Sequence, residues 1–338
     1  MEISVCIVGS GFGMYGLLPA FINTKNCNVV SICGKNSQRM EEYCKKFNLH
    51  RYDNWKVMLQ KEKPDAVVIA VIPFHQYEIA KFALENNIAV FGEKPLTTSY
   101  ETSLELYNLA KEKKLPNMID FLFPEVPEWI KAKELIDDGK IGRISDVRVK
   151  WNFLSYDLKN HIKSWKTDEK LGGGALSFFF SHGLYYLEHF LGEIKDLQCN
   201  LSSSELSLNK AESKIDMIIN FQSGCKGNVH VDISNSENTK HILEFNGSDG
   251  KLILQNLSDN SIDNFELILN IADKSEKIQI NDEHSFRNDN IFEDSRVKVV
   301  SSLAKKFIKW CETGIPQKPD FQNGVRVQKM IQTAKNSN

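Results

Sequence analysis

The sequence lacks a long apolar segment and an excess of charge of one sign. No segment approaches the roughly 20 consecutive apolar residues that cross a bilayer, and the first residues lack the basic start of a secretory signal peptide. The 338 residues include 42 basic and 44 acidic side chains, which gives a net charge of −2 at pH 7. This balance gives no field for holding nucleic acid or an anionic membrane. We therefore expect a soluble protein that binds neither.

Paired cysteines and metal-binding motifs are also missing. The seven cysteines are an odd number and contain no C-x-x-C pair, which favours free thiols in a reducing cytoplasm. Six of the eight histidines have no role predicted from the sequence, and they show no H-E-x-x-H or similar ligand spacing, so we predict no metal. They are His50, His161, His189, His230, His241 and His284.

The length suits two domains, and 41% apolar residues suffice for buried cores. In about the first 120 residues, short apolar runs alternate with amphipathic stretches. Continuous apolar strands separated by helices predict a parallel sheet covered on both faces, which is a doubly wound Rossmann domain. The predicted strands are Ile3–Val8, Val29–Cys33, Ala66–Ile72, Ile88–Phe91 and Asn117–Phe121, and the predicted helices are Met14–Asn23, Gln38–Phe47, Gln76–Glu85 and Glu101–Lys113.

The pattern of apolar and polar residues changes after Pro124, where alternating strand patterns such as Lys226–Ile233 and Ile242–Asn246 become common. Asn246-Gly247 has the chemistry of a tight turn between antiparallel strands. The end of the chain returns to helix, from about Arg296 to Thr313. We predict an α/β protein with a Rossmann dinucleotide-binding domain over residues 1–122. An α+β domain with a large, mostly antiparallel open sheet is predicted over residues 123–338.

A glycine-rich loop joins the first predicted strand to the first predicted helix. A dinucleotide needs one glycine for the tight turn, a second for backbone approach to the pyrophosphate, and a helix N-terminus for the phosphates. The third glycine of the usual pattern is replaced by methionine, and two neighbouring glycines, Gly13 and Gly16, could relieve the helix–strand contact instead. The predicted cofactor-binding residues of this loop are Gly9, Gly11, Phe12, Gly13 and Met14.

Cofactor choice is usually set after the second strand, where an Asp or Glu binds the ribose 2′-hydroxyl of NAD. This sequence has Gly34, Lys35 and Asn36 there, with Arg39 shortly after, so two cations stand where an acid is expected. The pattern favours NADP over NAD, and the alternative is that both cations are solvated surface charges.

A lysine follows the predicted strand Ile88–Phe91 in the sequence Gly92-Glu93-Lys94-Pro95. The carboxyl end of a parallel strand borders the crevice in which such sheets bind ligands. Beside an oxidised nicotinamide, like charge and desolvation would lower the pKa of Lys94 toward a range useful for proton transfer.

With these motifs in their order, the sequence resembles the glucose–fructose oxidoreductase / inositol dehydrogenase / MocA family. The resemblance extends over nearly the whole chain. It rests on the glycine-rich loop, Pro73-x-His75, Glu93-Lys94-Pro95, the run from Leu135 to Gly142, and Trp165 followed by Gly172-Gly173-Gly174-Ala175-Leu176. It implies a Rossmann domain, a second domain whose open sheet mediates oligomerisation, and redox chemistry on sugars, cyclitols or related polyols.

The resemblance also implies roles for individual residues. Lys94 and His182 would be catalytic, and Lys94, Trp165, Asp168, His182 and Tyr185 would contact the substrate, while Pro73, His75, Glu93 and Lys94 would contact the cofactor. The family has an Asp four residues before its histidine and often an acid three residues after it. Here those positions hold Phe178 and Tyr185. We interpret Phe178-Phe179-Phe180 as helix core, and Tyr185 and Tyr186 as packed aromatics that could instead offer a hydroxyl.

These observations predict an NAD(P)-dependent dehydrogenase or reductase. It would act on a hydroxyl or keto carbon of a sugar, sugar derivative or nucleotide sugar, as a homodimer or homotetramer. The alternative is a cofactor-binding regulator or interaction protein of the same fold with weakened catalysis, which the missing acid at position 178 favours.

Overall fold

The apolar runs of the N-terminal part form a six-stranded parallel sheet in the computed structural model, which describes residues 2–207, 211–235, 237, 239–280 and 294–337. The order is β3-β2-β1-β4-β5-β6, and each pair of neighbours is parallel. This confirms the doubly wound sheet. The strands are β1 (Ile3–Val8), β2 (Cys27–Cys33), β3 (His50–Tyr52), β4 (Ala66–Ile69), β5 (Ala89–Gly92) and β6 (Asn117–Ile119).

The helices of the described residues follow the amphipathic stretches of the sequence, with short additions. A π-helical turn, Gly13–Leu17, leads directly into the first α-helix. The α-helices are α1 (Leu18–Ile22), α2 (Gln38–Phe47), α3 (Trp55–Glu62), α4 (Pro73–Glu85), α5 (Tyr100–Glu112), α6 (Pro127–Asp137), α7 (Tyr156–Lys159), α8 (Ser181–Leu191), α9 (Arg296–Thr313) and α10 (Phe321–Asn336).

Polar side chains at the ends of these elements explain several boundaries. The Ser37 side chain accepts a hydrogen bond from the Met40 N–H at the start of α2, and Asn48 ends that helix with φ of 52°. Sequence analysis missed β3 and α3, because three residues of strand carry too little periodicity. The Asn54 side chain nevertheless caps α3 by accepting from the N–H groups of Lys56 and Val57.

Contacts divide the chain into two units, and the first contains residues 294–328 as well as 2–122. The aromatic ring of Phe307 in α9 lies 6.2 Å from that of Phe21 and 5.7 Å from that of Phe91. A helix distant in sequence thus covers the first sheet. The domains proposed from the sequence, 1–122 and 123–338, place residues 294–328 in the second domain, whereas the contacts place them in the first unit.

The second unit, with described residues 123–207, 211–235, 237, 239–280 and 329–337, contains an eight-stranded sheet of order β14-β13-β12-β11-β7-β10-β9-β8. Its β7–β10 pair is parallel and its other pairs are antiparallel. The predicted α/β class with a mostly antiparallel second sheet is confirmed. The strands are β7 (Ile144–Asn152), β8 (Ile194–Ser202), β9 (Lys214–Phe221), β10 (Lys226–Asp232), β11 (Lys240–Gly247), β12 (Lys251–Asn256), β13 (Glu266–Ile271) and β14 (Lys274–Ile278).

A cluster of aromatic rings fills the core between this sheet and its helices. Trp129 of α6 is fully buried, and its ring centroid lies 4.9 Å from that of Tyr186 in α8 and 5.3 Å from that of Phe265. Phe123 also contacts Trp129, at 5.1 Å between centroids. Each such ring removes a large apolar area from water, so this cluster stabilises the second unit.

A histidine is buried inside this aromatic cluster. His241 of β11 stacks on Trp151 of β7, with ring centroids 4.3 Å apart and planes 5° apart. Its Nε2 is hydrogen-bonded to the Tyr186 hydroxyl at 3.1 Å, whereas its Nδ1 has no partner among the described residues. Burial lowers the pKa of His241 to about 3. The imidazole is therefore a neutral part of the core.

The seven cysteines all lie in the described part of the chain and are free thiols, of which Cys6, Cys27, Cys33, Cys199 and Cys225 are buried. Burial raises the pKa of Cys6 and Cys27 to about 12, so neither is a ready nucleophile. Within the described ranges no helix combines the length and the hydropathy needed to cross a bilayer.

The buried His241 makes stability depend on pH. Below about pH 6.5 the unfolded chain binds a proton that the folded chain does not bind until about pH 3, so the free energy of unfolding falls as pH falls. The slope from this group approaches about 1.4 kcal/mol per pH unit. We expect His241→Phe to remove this slope and to cost about 1–3 kcal/mol at neutral pH, because the Tyr186 hydroxyl loses its partner. Urea unfolding followed by tryptophan fluorescence at several pH values measures both effects.

The matched control is Tyr186→Phe, which deletes the same hydrogen bond but keeps the imidazole. It should lose stability at neutral pH and retain the pH slope. A His241→Phe variant with the slope of the wild type would contradict this account.

Candidate functional site

The glycine loop after β1 requires glycine at its first position. Gly9 has φ of +141°, and a Cβ there would lie 2.3 Å from the carbonyl oxygen of Ala70, the residue after β4. The Gly9 N–H donates to the Cys33 carbonyl oxygen (2.9 Å), which ties the loop to the end of β2. The loop is thus held against two neighbouring strands at the carboxyl edge of the sheet.

The second position of the loop borders open space. A Cβ on Gly11 would meet no heavy atom within 4 Å, and the Met14 N–H donates to the Gly11 carbonyl oxygen at the start of the helical turn. A pyrophosphate needs such an unobstructed backbone at a helix start. The residues present here therefore fit a dinucleotide.

The helix–strand contact made by the third glycine of the usual pattern is made here by Gly13. A Cβ on Gly13 would lie 3.2 Å from the Ala70 Cβ, while the Met14 side chain is buried. Gly16 instead leaves room for the Phe12 ring, since a Cβ at position 16 would lie 2.2 Å from that ring. Of the two glycines considered from the sequence, only Gly13 faces the strand end.

The segment after β2 lies beside the glycine loop. A Cβ on Gly34 would lie 2.8 Å from the Ser10 Cβ, so a larger side chain would need the loop to shift. Lys35 and Asn36 are exposed. The Arg39 guanidinium is also exposed, and it lies 5.6 Å from the ring centroid of Tyr15 and 5.8 Å from that of Tyr43.

An acid that sequence analysis did not consider lies on the next strand. Because Cys33 of β2 pairs with Tyr52 of β3, the following residues Gly34 and Asp53 leave the sheet side by side. Both carboxylate oxygens of Asp53 accept hydrogen bonds from the Arg51 guanidinium, which lowers the pKa of Asp53. The short strand β3 carried too weak a pattern to reveal this acid in advance.

The turn that carries Lys94 is fastened by a buried amide that sequence analysis missed. The Gln76 side chain of α4 donates to the carbonyl oxygens of Glu93 (2.5 Å) and Leu96 (3.0 Å), and its oxygen accepts from the Glu93 N–H (3.0 Å). Pro73 is buried at the first turn of the same helix. His75 is exposed there, and its Nδ1 lies 3.7 Å from a carboxylate oxygen of Glu78.

A second missed residue, Arg296, begins α9 and lies over the glycine loop. Its guanidinium carbon is 4.2 Å from the ring centroid of Phe12. Two of its nitrogens donate to the carboxylate of Asp294, at 2.9 and 2.6 Å. Burial disfavours the charge, but this bidentate contact outweighs it and raises the pKa of Arg296.

A third missed residue, Asp120, follows β6 at the same edge of the sheet. It is only 1% exposed, and its N–H donates to the Gly92 carbonyl oxygen (2.9 Å). Burial and the neighbouring Glu93 carboxylate raise the pKa of Asp120 well above its usual range. An acid at the carboxyl end of a strand was the available signal, since Asn117–Phe121 was predicted as a strand.

In the second unit, the triple glycine makes a tight turn before the helix that carries His182. Gly174 has φ of +106°, and a Cβ there would lie 2.2 Å from the carboxylate of Glu212. That carboxylate accepts from the Leu176 N–H (3.0 Å) and so caps the helix start. Burial raises the pKa of Glu212, against the lowering effect of Lys335 and of this hydrogen bond.

The three phenylalanines before His182 are not uniformly core. Phe180 is fully buried, whereas Phe178 and Phe179 lie in a π-helical turn and are partly exposed. The Phe178 ring contacts Trp165 edge-on at 5.2 Å, and the Lys166 ammonium lies 4.8 Å from its centroid. The interpretation as core was therefore right for Phe180 and wrong for Phe178 and Phe179, which the turn leaves partly exposed.

The remaining predicted substrate residues differ in accessibility. Trp165 and Asp168 are partly exposed in the loop before the glycines. His182 is 7% exposed, and its ring meets that of Phe123 edge-on at 5.1 Å. Tyr185 is buried beside His189 (6.2 Å), and Tyr186 is a packed aromatic whose hydroxyl bonds to His241.

No group of three His, Cys, Asp or Glu side chains suited to a metal ion occurs among the described residues. His284 lies outside them.

Family models match most of the chain. One described as an oxidoreductase family, NAD-binding Rossmann fold, covers residues 3–121. Another, described as an oxidoreductase family, C-terminal alpha/beta domain, covers residues 133–338.

Two curated relatives illustrate the match. An uncharacterized oxidoreductase of Synechocystis sp. is 32% identical over 202 residues, which are 60% of this chain and 54% of that protein. The levoglucosan dehydrogenase of Pseudarthrobacter phenanthrenivorans is 27% identical over 245 residues, 68% of this chain and 62% of that protein. The matched region thus spans between half and two thirds of each relative.

Solved structures share the fold at low identity. A levoglucosan dehydrogenase in complex with NADH and levoglucosan superimposes with a TM-score of 0.86 at 20% identity, over 100% of this chain and 97% of that one. A 3-ketoreductase of Actinomadura kijaniata in complex with TDP-benzene and NADP gives 0.78 at 18% identity, over 100% and 98%. At such identities the likeness shows the fold alone. The family matches over residues 3–121 and 133–338 show that this chain belongs to the Gfo/Idh/MocA oxidoreductase family.

Proposed function

We propose that this protein is an NAD(P)-dependent dehydrogenase or reductase of a sugar, sugar derivative or nucleotide sugar. The observation that carries the proposal is the position of Lys94. It follows β5 at the carboxyl edge of the parallel sheet, in a turn fastened by Gln76, on the edge that also bears the glycine loop. Relatives named levoglucosan dehydrogenase and D-xylose dehydrogenase support a sugar-type substrate.

The glycine loop would hold the pyrophosphate, with Gly9 and Gly11 at the closest approach and Phe12, Gly13 and Met14 at the helix start. Gly34, Lys35, Asn36 and Arg39 would border the adenosine ribose, and Pro73, His75 and Glu93 would contact the nicotinamide half. Bound NAD(P) supplies or accepts the hydride. Lys94 exchanges a proton with the substrate oxygen as that oxygen gains or loses its carbonyl character.

The second unit would hold the substrate. The partly exposed Trp165 offers an aromatic face to a sugar ring, and Asp168 in the same loop offers a hydrogen-bond acceptor. His182 would orient the substrate or share its proton, and Tyr185 would contribute a hydroxyl.

A second candidate function is cofactor-dependent regulation without efficient turnover. Two observations favour it: Phe178 occupies the position of the family's acid, and His182 is only 7% exposed against the Phe123 ring. Oxidation of NADPH and NADH with a panel of keto-sugars separates the two functions. Cofactor binding without oxidation of any member favours the regulator.

We also propose that the protein is cytoplasmic. Seven free thiols, five of them buried, suit a reducing compartment.

Gly11→Val tests the dinucleotide site. The added side chain meets open space in the protein, so the fold should be retained while the pyrophosphate is obstructed. We expect cofactor affinity to fall by at least about tenfold, or about 1.4 kcal/mol. Fluorescence titration with NADPH and NADH measures it, with Gly11→Ala as the smaller change at the same position. Unchanged affinity in the folded Val variant would show that the pyrophosphate binds elsewhere.

The cations after β2 should favour NADP(H). We expect wild-type protein to bind NADPH at least as tightly as NADH, and Lys35→Ala combined with Arg39→Ala to weaken NADPH binding by about tenfold or more, with little effect on NADH. The control is Lys45→Ala, because Lys45 is an exposed lysine in the last turn of α2, the helix that also contains Arg39. A wild-type preference for NADH of about tenfold would mean that these cations point away from the ribose.

Lys94→Ala tests the acid/base assignment. Turnover on a substrate found in the keto-sugar screen should fall by about 10²–10⁴, with cofactor affinity largely kept. His182→Ala should cost less if it only orients the substrate, and a similar amount if it shares the proton. Lys25→Ala, an exposed lysine on the same unit, controls for loss of charge. Near-full turnover by Lys94→Ala would refute the mechanism.

We propose that the outer face of the eight-stranded sheet binds a second copy of this chain, giving a homodimer or homotetramer. Ile218, on β9 next to the edge strand β8, is 51% exposed, and Ile242, Ile253 and Ile268 are partly exposed on other strands. Such β-branched side chains suit a covered sheet surface. Light scattering should give a mass above the 38.6 kDa of one chain, and Ile218→Asp should lower it. The conservative variant Ile218→Val should keep the wild-type mass, and a wild-type monomer at micromolar concentration would contradict the proposal.

A further inference from the structure

Two acids leave the first sheet side by side. Gly92 of β5 pairs with Ile119 of β6, so the next residues, Glu93 and Asp120, are neighbours at the carboxyl edge. Adjacent strands lie about 4.8 Å apart, which brings consecutive side chains of this kind within reach of each other. The backbone fixes the arrangement, since the Asp120 N–H donates to the Gly92 carbonyl oxygen and the Glu93 N–H to that of Ile69.

Among the described residues, no N–H or hydroxyl group donates a hydrogen bond to the Asp120 carboxyl group. Both of its carboxyl oxygens are buried. The group beside it is the Glu93 carboxyl group. Burial, the charge of Glu93 and a hydrogen bond between the two side chains raise the pKa of Asp120. Two ionised carboxylates offer only acceptors, so they can be hydrogen-bonded to each other only when one of them carries a proton.

The charges around the pair are few and can be named. Lys94 and Arg296 are the cations that favour the ionised form of Asp120, and Glu93 is the anion that opposes it. Arg296 is already engaged by Asp294 through a bidentate contact. Of these two cations, Lys94 is the one whose charge the proposed reaction changes.

We propose that Asp120 and Glu93 form a carboxyl pair that holds one proton between them, and that this pair is the proton partner of Lys94. The proposal rests on the assignment of Lys94 as the acid/base group. It gives the first unit a second proton-carrying group, in a family member that has Phe178 where its relatives have an acid.

The proton count of the cycle closes. When a ketone is reduced, the Lys94 ammonium would give a proton to the carbonyl oxygen, while bound NAD(P)H would supply the hydride that the carbonyl carbon needs. The resulting amine regains its proton from the pair, and the pair is refilled from water through Glu93, which is partly exposed. Oxidation of an alcohol runs the same transfers in reverse. Because Asp120 is only 1% exposed, it would act through Lys94 rather than on the substrate itself, and it is therefore a positioning residue.

Infrared difference spectroscopy of the apoprotein tests the shared proton without a substrate. A protonated carboxyl group has a carbonyl stretch that an ionised one lacks. We expect wild-type protein at neutral pH to contain such a band that Asp120→Asn lacks, because the substitution removes one acid of the pair and with it the shared proton. Any protonated acid that the two proteins have in common cancels in the difference.

Asp53→Asn is the matched control on the same unit. Its carboxylate is exposed and held ionised by Arg51, so this substitution should remove no carbonyl band. No band in the wild type, or an undiminished band in Asp120→Asn, would overturn the shared proton.

The coupling to Lys94 is tested by the pH dependence of its acetylation, quantified by mass spectrometry. If the pair carries one negative charge, Asp120→Asn keeps that charge on Glu93. The pH midpoint of Lys94 acetylation should then move little. The double variant Asp120→Asn with Glu93→Gln removes the charge and should lower the midpoint by about one pH unit or more. Asp53→Asn should leave it unchanged.

Two results would overturn the proposal. An equal fall at each of the two substitution steps would mean that both carboxylates were ionised. An unchanged midpoint in the double variant would mean that the pair does not act on Lys94. Neither experiment uses turnover, so both remain decisive if Lys94→Ala proves fully active, an outcome that would refute the acid/base role of Lys94 while leaving the pair in place.

Discussion

The close approach of the glycine loop to the strand ends is the constraint on which the first unit depends. The backbone at Gly9 comes so near the Ala70 carbonyl that no side chain fits, and Gly13 keeps the following helix against the same residue. This contact sets where the helix begins and which backbone faces open space at Gly11. Because β5 and β6 share the same edge, Lys94 and Asp120 are carried to the side of the sheet on which the loop lies. Parallel pairing thus concentrates chemistry that lies far apart in sequence.

In the second unit, the buried carboxylate of Glu212 constrains the backbone before the helix that carries His182. Glu212 caps the helix start at Leu176, and its bulk leaves only glycine at position 174. The turn that results exposes Phe178 beside Trp165 and the Lys166 ammonium. An aspartate at position 178 would therefore have a cation near it. The surroundings are less apolar than the run of phenylalanines suggested.

The two units differ in the charge state of their buried polar groups. The buried polar groups of the second unit include a neutral histidine, His241, whose hydrogen bond and ring contacts make it part of the core. The first unit instead collects ionisable groups at one sheet edge, where Arg296 and Asp294 neutralise each other and Glu93 and Asp120 cannot both ionise cheaply. Perturbed acids at a ligand-binding edge suit proton transfer, whereas a buried neutral imidazole suits packing.

The sequence by itself determined the features that depend on residues close together in the chain. The strand Ile3–Val8, the glycine loop and the helix Arg296–Thr313 were predicted with these bounds, because apolar period and turn chemistry act within a short window. The residues of the glycine loop, the segment after β2 and Lys94 were also named from local patterns, whereas the substrate-facing residues such as Trp165 and His182 were named from the family resemblance. All of these roles stay predictions. The tertiary structure decided what depends on distant residues: the packing of Phe307 on the first sheet, and the neighbourhood of Glu93 and Asp120. Strand order and register set these contacts, and a local pattern carries no information about either.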